Sequence, residues 1–379
     1  PKLEDPTSDL RRLLKALEVE WGLQKIKVPH SILEMLQPTL REGKWKVTVA
    51  VDHEGIMRGI WSDFREHLYG IAFDIGSTTL AAHLCELGSG EVLSSAGMMN
   101  PQIRFGEDLM SRVSYVMLNQ DGEKELTKSV REALNQLSLE VCEQAGIQKE
   151  EVMEMVMVGN PVMHHLVHGI NPIELGGAPF ALATDEAIIT PASELNLELH
   201  QLAQTYTLPC IAGHVGADTA AMVLAEAPHL LEAITLLVDV GTNAEIVLGN
   251  RDRLLAASSP TGPAFEGAQI SSGQRAAPGA IERVRIDPKT LEPRFRVIGS
   301  ECWSDEVSFA EDTKKTGVTG ICGSGIIEAI AELYLCGIIS QDGLFDESMM
   351  GRSNRTVSYT HLRAHETEAD LVCRLLLEK

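Results

Sequence analysis

The sequence predicts an α/β protein of two related lobes with a cleft between them, preceded by a small α+β domain. This prediction rests on two short segments that resemble each other, Ile71–Leu80 and Leu236–Val247. Their aspartates, Asp74 and Asp239, lie 165 positions apart (239 − 74). The order of strand, hairpin and helix also recurs once in each half, as expected when one unit is repeated.

Composition limits the function classes. The chain has 379 residues, enough for two or three domains, and acidic residues outnumber basic ones 54 to 32, which gives a formal charge of −22. Such an acidic chain is not expected to bind nucleic acid or an anionic membrane surface. No apolar stretch approaches the roughly 20 residues that span a bilayer. The seven cysteines have no CxxC spacing, which favours reduced thiols in a cytoplasmic protein.

Residues 1–68 form the small N-terminal domain. Ser8 is predicted to cap a helix whose apolar positions begin at Leu10. A second helix is predicted from His30 through Leu36. The alternation over Lys44–Val51 predicts a strand.

Residues 69–235 are predicted to form the first lobe. It begins with a hairpin over 69–98, in which a glycine turn joins two apolar strands. Gly146 is typical of a residue that ends a long helix. The remaining predictions, in chain order, are a loop at Asn100–Phe105, helices at Glu107–Leu118 and Thr127–Ala145, a strand at Glu154–Val158, a helix around Met163–Val167, an irregular segment at Pro172–Leu199, a strand at Leu208–Ala212 and a helix at Gly216–Ala227.

Residues 236–351 are predicted to form the second lobe. It begins with a hairpin over 236–248, and Arg253–Ala257 extends it as a third strand. A loop rich in Gly, Ala and Pro follows from Pro260 to Gly279. Two paired strands are expected at Ala280–Arg285 and Arg294–Ile298, and a flexible loop at Gly320–Gly325 opens a helix that runs to Cys336.

The two hairpin turns are the strongest candidates for a binding site. A glycine lets the backbone approach a ligand closely, and successive N–H groups form a concavity that holds anions. Hydroxyl and amide side chains beside the glycines add donors, and Asp74 and Asp239 can hold a hydrated divalent cation. Two such turns facing each other would hold the phosphates of a nucleotide from both sides. The alternative is that each Asp–Gly turn merely reverses a strand. The candidate ligand-binding residues are Asp74, Gly76, Ser77, Thr78, Thr79, Asp239, Gly241, Thr242 and Asn243.

Four further features have two interpretations each. The first is the start of a helix at Gly323, Ser324 and Gly325. It is either an anion site or a place where the helix packs closely on a sheet. Asp218 is a third ligand of the metal ion or an acid favoured by the helix dipole. Glu266 orients an attacking water or bonds backbone N–H groups in its loop. The histidine run at 164, 165 and 168 is a metal site or, more in keeping with its surroundings, a packed cluster.

Seven strings resemble one known family, the reductive activators of corrinoid proteins, whose ATPase fold is shared with actin, heat-shock chaperones and sugar kinases (the ASKHA superfamily). Their order and spacing agree over roughly residues 1–350. The strings are Leu68-Tyr-Gly-Ile-Ala-Phe-Asp-Ile-Gly-Ser-Thr-Thr79, Asn100-Pro-Gln, Gly159-Asn160 with Met163-His164-His165, Val215-Gly-Ala-Asp218, Gly262-Pro-Ala-Phe-Glu-Gly-Ala268, Gly279-Ala-Ile281 and Gly320-Ile-Cys-Gly-Ser-Gly325.

The resemblance implies an activity and its partners. ATP and Mg²⁺ would bind between two ASKHA lobes, and the nucleotide cycle would drive reduction of a corrinoid protein from Co(II) to Co(I). That partner would belong to a methyltransferase system, and relatives form homodimers. A 2Fe–2S domain precedes the small domain in the family, and no cysteine set here would hold the cluster. A Gly-rich adenosine-binding segment expected after Leu335 is absent too, so an incomplete second lobe is expected.

Residues 352–379 are predicted to be a non-native tail. From Val357 to Thr367 the sequence resembles a translated DNA-sequencing adapter, and Asp370–Lys379 resembles the primer sequence that follows it. We therefore exclude 357–379 from fold reasoning and expect a metagenomic fragment cut near Thr356.

Two rival functions remain from the sequence. One is a small-molecule kinase of the same superfamily, although no aspartate positioned for a substrate hydroxyl was found. The other is a non-catalytic fragment.

Overall fold

The computed structural model describes residues 4–106, 108–241, 243–261, 270 and 272–345. The chain divides into two units. The first comprises residues up to Ala233 together with Asn250–Arg253, and the second comprises Ile234–Gly249 and the described residues from Leu254 onward.

The first unit opens with two helices and a two-stranded sheet that share a core of their own. Ser8 accepts a hydrogen bond from the Arg11 N–H and so caps the first helix, which ends at Gly22 in the left-handed region (φ 70°). The elements are α1 (Asp9–Trp21), α2 (His30–Glu42), β1 (Thr48–Val51) and β2 (Met57–Trp61). Their buried side chains are Leu13, Leu17, Ile32, Leu36, Leu40, Met57 and Ile60.

Helix α2 runs six residues beyond its predicted end at Leu36 and contains Pro38. The proline removes one helical hydrogen bond, but the buried positions Ile32, Leu36 and Leu40 continue at a spacing of four. Burial of this apolar face therefore outweighs the tendency of proline to end a helix. Strand β1 starts four residues later than predicted, because Lys44 and Trp45 have positive φ and form a turn.

A six-stranded mixed sheet forms the body of the first unit. Its order is β5-β4-β3-β6-β8-β7. Strand β3 pairs antiparallel with β4 and parallel with β6, and β6 pairs parallel with β8. The strands are β3 (Tyr69–Ile75), β4 (Thr79–Glu86), β5 (Val92–Met99), β6 (Val152–Gly159), β7 (Ile188–Pro191) and β8 (Gln204–Thr207).

Four helices accompany this sheet: α3 (Leu109–Leu118), α4 (Gly122–Ala145), α5 (Pro161–His168) and α6 (Ala217–Glu226). The prediction that Gly146 ends α4 is confirmed, since it is left-handed with φ 70°. Helix α4 begins five residues before the predicted Thr127, and its buried residues Val130, Leu134 and Leu137 join the sheet in one core. The segment predicted as a loop at 101–105 is a 3-10 helix capped by Asn100.

The predicted strand at Leu208–Ala212 is wrong, because the strand lies just before it as β8. The Leu208 N–H still donates to the Met157 carbonyl oxygen over 3.2 Å. Pro209 has no N–H to continue the ladder, so pairing stops there. The predicted irregular segment 172–199 likewise contains the edge strand β7.

The second unit contains two three-stranded sheets. The first has the order β11-β10-β9 and is antiparallel throughout, which confirms the predicted hairpin and its third strand. The second has the order β13-β12-β14. The strands are β9 (Thr235–Val240), β10 (Asn243–Gly249), β11 (Leu254–Pro260), β12 (Ala280–Ile286), β13 (Pro293–Val297) and β14 (Gly320–Ile321).

Helices α7 (Phe309–Asp312) and α8 (Gly323–Leu335) complete the second unit. Helix α8 packs on β12 through Ile326, Ala329 and Leu333, which share a core with Ile281 and Val284. The expectation of a flexible loop at Gly320–Gly325 is wrong. The first two residues pair with β12 as β14, and the last three form the first turn of α8.

Two predictions about the whole chain can be compared with the described residues. None of the helices described is both long and apolar enough to cross a membrane. The six cysteines in the described part of the chain are unpaired, and three of them, Cys142, Cys210 and Cys322, are buried.

Candidate functional site

The turn between β3 and β4 is the best-defined part of the candidate site. Asp74, the second-last residue of β3, pairs with Ala81 and is exposed, whereas Ser77 and Thr78 are buried. A side chain at Gly76 would put its Cβ 2.7 Å from the Thr79 carbonyl oxygen. The turn therefore requires glycine because its two arms approach too closely for any other residue.

Three successive carbonyl groups of this turn accept hydrogen bonds from outside it. The Gly76 oxygen accepts from Asn100 Nδ2 at 2.8 Å. The Ser77 oxygen accepts from Nη2 of Arg112. The Thr78 oxygen accepts from the backbone N–H of Asn100 at 2.8 Å. The turn is thus fixed by donors from Asn100 and Arg112.

The Ser77 hydroxyl is held as well. Asn160 Nδ2 donates to Ser77 Oγ over 3.1 Å, while Asn160 Oδ1 accepts from the Met163 N–H at 3.0 Å and caps α5. Asn100 has the same double role, since its Oδ1 accepts from the Gln102 N–H at 2.9 Å and caps the 3-10 helix. Each asparagine therefore ties the turn to the start of a helix.

Arg112 on α3 is fully buried and spreads its donors over several acceptors. Its Nε donates to the Gly106 oxygen at 3.1 Å, and its Nη1 donates to Gln102 Oε1 at 3.1 Å. The same Nη1 lies 3.1 Å from the sulfur of Met163. A guanidinium out of water is tolerated only when its donors are used in this way.

The planarity of the peptide bond sets where the amide groups of the turn point. In a trans peptide the C=O of one residue and the N–H of the next face opposite directions. The clamped carbonyls of Gly76, Ser77 and Thr78 therefore also fix the directions of the N–H groups of Ser77, Thr78 and Thr79. Backbone N–H groups held in place in a turn favour an anion.

Asp218 lies near the same end of the sheet. It is half-buried in the first turn of α6, and its Oδ1 accepts from the Thr219 N–H at 2.7 Å. A Cβ on the preceding Gly216 would lie 2.5 Å from the Gly159 oxygen. Gly159 pairs with Ile75, so α6 begins beside the ends of β6 and β3. Ligands of open α/β sheets bind at such carboxyl ends of parallel strands.

The turn between β9 and β10 repeats the pattern in the second unit. Asp239 is exposed, second-last in its strand and two residues before Gly241. The Gly241 oxygen accepts from Thr261 Oγ1 at 2.6 Å, as the Gly76 oxygen accepts from Asn100. The Gly241 N–H donates to the Asn243 oxygen at 2.8 Å.

Asp239 differs from Asp74 in the residue opposite it. Its register partner is Glu245, which is buried and accepts from Ser258 Oγ at 3.1 Å. Two of the predicted site residues, Thr242 and Glu266, lie outside the described residues.

The start of α8 favours the packing interpretation of its glycines. A Cβ on Gly325 would lie 2.3 Å from the Ile281 oxygen, so the helix contacts β12 backbone to backbone. Ser324 Oγ lies 3.2 Å from Cys322 Sγ. Glu328 in the next turn accepts from the Val284 N–H at 2.8 Å and pairs with Arg283 and Arg285. Burial alone would raise the pKa of Glu328, but these hydrogen bonds and the two guanidinium groups lower it.

The three histidines of α5 form a packed cluster. His164 lies 5.5 Å, ring centroid to ring centroid, from both His165 and His168. His165 Nε2 accepts from the Ala183 N–H at 3.0 Å, and His168 Nε2 lies 2.9 Å from Thr207 Oγ1. Burial lowers the pKa of His164 to about 4 and that of His168 to about 4. Within the described ranges no group of three or more His, Cys, Asp or Glu side chains could hold a metal ion.

Sequence reasoning missed the residues that hold the first turn. Arg112 lies in a segment predicted only as a helix, and Gln102 and Asn160 belong to strings of the family resemblance to which no role was assigned. The one available signal was a charged residue among apolar neighbours, Leu109, Val113 and Val116, on a predicted helix. Glu245, a carboxylate within the apolar run of β10, gave a similar signal.

Three family models match the chain. They are described as the RACo linker region (residues 1–67), the RACo middle region (69–230) and the C-terminal domain of RACo, the ASKHA domain (233–374). Together these models extend over nearly the whole sequence.

Two curated proteins are similar in sequence. The corrinoid activation enzyme RamQ of Eubacterium limosum is 35% identical over 305 residues, which are 80% of this chain and 48% of that protein. The Co(II) methylated-amine-specific corrinoid protein reductase of Methanosarcina barkeri is 28% identical over 291 residues, 72% of this chain and 52% of that protein. The chain spans about half the length of the curated relatives it matches.

A solved structure is also similar to this chain. A reductive activator for corrinoid, iron–sulfur protein superposes with a TM-score of 0.78 at 36% identity, covering 92% of this chain and 54% of that one. The fold is therefore the α/β ASKHA fold named in the C-terminal family model. From the three family models, the sequence relatives and this structure, the chain belongs to the family of reductive activators of corrinoid proteins.

Proposed function

We propose that this protein takes part in ATP-dependent reduction of a corrinoid protein from Co(II) to Co(I). The names of its relatives support the general activity, since one is a corrinoid activation enzyme and another a reductase of a Co(II) corrinoid protein. The corrinoid protein of a methyltransferase system is the partner, and the activator works as a homodimer. The reduced cysteines favour a cytoplasmic setting.

The proposed ATP dependence rests on one observation, the geometry of the turn between β3 and β4. Its carbonyls are held by Asn100 and Arg112, which fixes the directions of its amide N–H groups, and the exposed Asp74 precedes it in the chain. Backbone N–H groups fixed in advance bind phosphate oxygens without the cost of ordering a loop. The second turn has Asp239 and Gly241 at matching positions and offers the same kind of phosphate-binding backbone.

The residues present fit a divalent cation. Mg²⁺ prefers carboxylate oxygens and keeps several waters, and Asp74 and Asp239 are exposed carboxylates next to phosphate-binding turns. Asp218 is a third candidate because its helix begins at the same end of the sheet. When bound, the ion neutralises phosphate charge. Asp74 and Asp239 would hold the ion through its waters, and Glu266 would orient the water that attacks the terminal phosphate. The first turn of α8, at Gly323–Gly325, would contact the nucleotide.

The redox step balances as a one-electron transfer. Co(II) in the corrinoid takes up one electron and becomes Co(I), and an iron–sulfur donor of the kind found in the family supplies that electron. The described residues of this chain contribute the nucleotide-driven part. ATP hydrolysis would drive a conformational change that makes an uphill transfer favourable, at about 1.4 kcal/mol for each 59 mV of a one-electron couple.

Calorimetric titration of the purified 379-residue protein with Mg·ATP tests this proposal. Binding is expected, and it should change the affinity for a Co(II) corrinoid protein, because the two ligands act on the same lobes. Absence of binding at millimolar Mg·ATP would overturn the nucleotide assignment. Phosphoryl transfer to an added sugar or acid, beyond hydrolysis, would instead favour a small-molecule kinase.

A further inference from the structure

We propose that Arg112 is a positioning residue for phosphate binding, acting through the backbone of the turn at Gly76–Thr78. This inference rests on the proposed function, since it names the side chain that holds the phosphate-binding amides of that site in place. Arg112 acts through its hydrogen bond to the carbonyl oxygen of Ser77.

The first step of the argument is burial. Arg112 is fully buried, and so is Gln102, which accepts from it. An arginine in a protein interior loses its hydration, so it remains there only if its donors are satisfied. A leucine or methionine would fill the same space on α3 without that cost. The retained guanidinium therefore indicates a role for its donors.

The second step is the separation of the acceptors along the chain. The guanidinium joins Ser77, 35 residues earlier, to Gly106 and to Met163, 51 residues later. One planar fork thus connects the β3–β4 turn, the end of the 3-10 helix and the first turn of α5. A lysine has a single ammonium group and cannot reach these acceptors at once.

The third step is the direction of the amide groups. Rotation of the Ser77–Thr78 peptide plane would turn the Thr78 N–H to a new direction and break the bond from Arg112 to the Ser77 oxygen. Asn100 holds the two neighbouring planes in the same way. Arg112 therefore controls the central one of three consecutive amides.

The test compares R112M and R112K with T205V. Thr205 is a matched control because it is fully buried in the same unit, and its Oγ1 donates to the Thr190 oxygen at 2.9 Å, on strands that do not touch the turn. Calorimetry measures the affinity for ATP, and chemical denaturation measures the free energy of unfolding. Nuclear magnetic resonance relaxation measures the order of the amides of residues 76–79 without nucleotide.

Both Arg112 variants are expected to lose roughly 10- to 100-fold in ATP affinity, as for one hydrogen bond to a charged group. The order parameters of the turn amides should fall from about 0.85 toward 0.6. The T205V protein should be less stable, but its ATP affinity and the order of its turn amides should be unchanged. If Arg112 served stability alone, its variants would lose unfolding free energy but keep the ATP affinity and the order of the turn amides, as T205V does, and that result would overturn the inference.

Two other outcomes are decisive. Full ATP affinity in R112K would show that charge suffices and would contradict positioning by the planar fork. If the unsubstituted protein binds no ATP, the proposed function fails. The relaxation data then still test whether Arg112 keeps the turn amides ordered. Unchanged order of the turn in R112M would then refute its role.

Discussion

Asn160 donates from Nδ2 to Ser77 Oγ over 3.1 Å, across 83 positions of sequence. The same side chain caps α5 by accepting from the Met163 N–H. One residue therefore couples the start of a helix to a hydroxyl in the candidate phosphate-binding turn. The two roles can be separated by substitution.

Asn160→Ser keeps an oxygen that caps a helix but is too short to reach Ser77, whereas Asn160→Ala removes both contacts. We expect N160S to cost about 1 kcal/mol of unfolding free energy and N160A about 1 kcal/mol more. In a double-mutant cycle with S77A, N160S should add little to the loss of ATP affinity. Fully additive losses would contradict the coupling of these two residues.

The contact between α8 and β12 predicts that Gly325 does not accept a side chain. Alanine there would place Cβ 2.3 Å from the Ile281 oxygen, so α8 must move away from the strand. We expect G325A to lower the unfolding free energy by about 1–3 kcal/mol, measured by chemical denaturation.

Gly177→Ala is the matched control for this substitution. A Cβ at Gly177 meets nothing within 4 Å, and its φ of −152° suits any residue. G177A should change stability by less than about 0.5 kcal/mol. Equal effects of the two substitutions would show that α8 does not depend on close backbone contact.

The buried histidines predict a pH dependence of stability. The pKa of His164 is lowered to about 4 and that of His168 to about 4 by burial, from an ordinary value near 6.5. The unfolded chain therefore binds more protons between these values. Their contribution is complete above pH 6.5 and is lost as the pH falls toward 4, by up to about 1.4 kcal/mol per pH unit for each histidine.

Denaturation of H164L between pH 5 and 6.5 measures this contribution. The slope of unfolding free energy against pH should decrease by about one proton. Leu166→Val, a change on the same helix without a titratable group, should shift the curve and leave its slope unchanged. A slope in H164L equal to that of the unsubstituted protein would show that His164 is not a buried neutral histidine.

The sequence predicted the parts of the fold that depend on local chemistry. Both hairpins, the end of α4 at Gly146 and the pair β12 and β13 are confirmed. The aspartate and glycine of each turn could be found because a strand end and a tight turn restrict residue type over a few positions. Errors arose where tertiary burial outweighed local preference, as in α2 across Pro38.

The support of the site could not be predicted in this way. Arg112 and Asn160 act on Ser77 from 35 and 83 positions away, and a periodicity contains no information about such contacts. Strand β8 was misplaced for a related reason, since its inward residues Thr205 and Thr207 are polar and give no apolar alternation. The domain limits, the homodimer and the roles of Asp218 and Glu266 stay predictions.

The most direct test of the central claim is a double-mutant cycle of Mg·ATP affinity with D74N and D239N. If both aspartates serve one magnesium ion and one triphosphate, each variant should lose at least about tenfold in affinity, and the double variant less than the product of the two losses. Removing magnesium should lower the ATP affinity of the unsubstituted protein most and that of the double variant least. Unchanged affinity in either single variant, or losses that multiply fully, would contradict a shared nucleotide site.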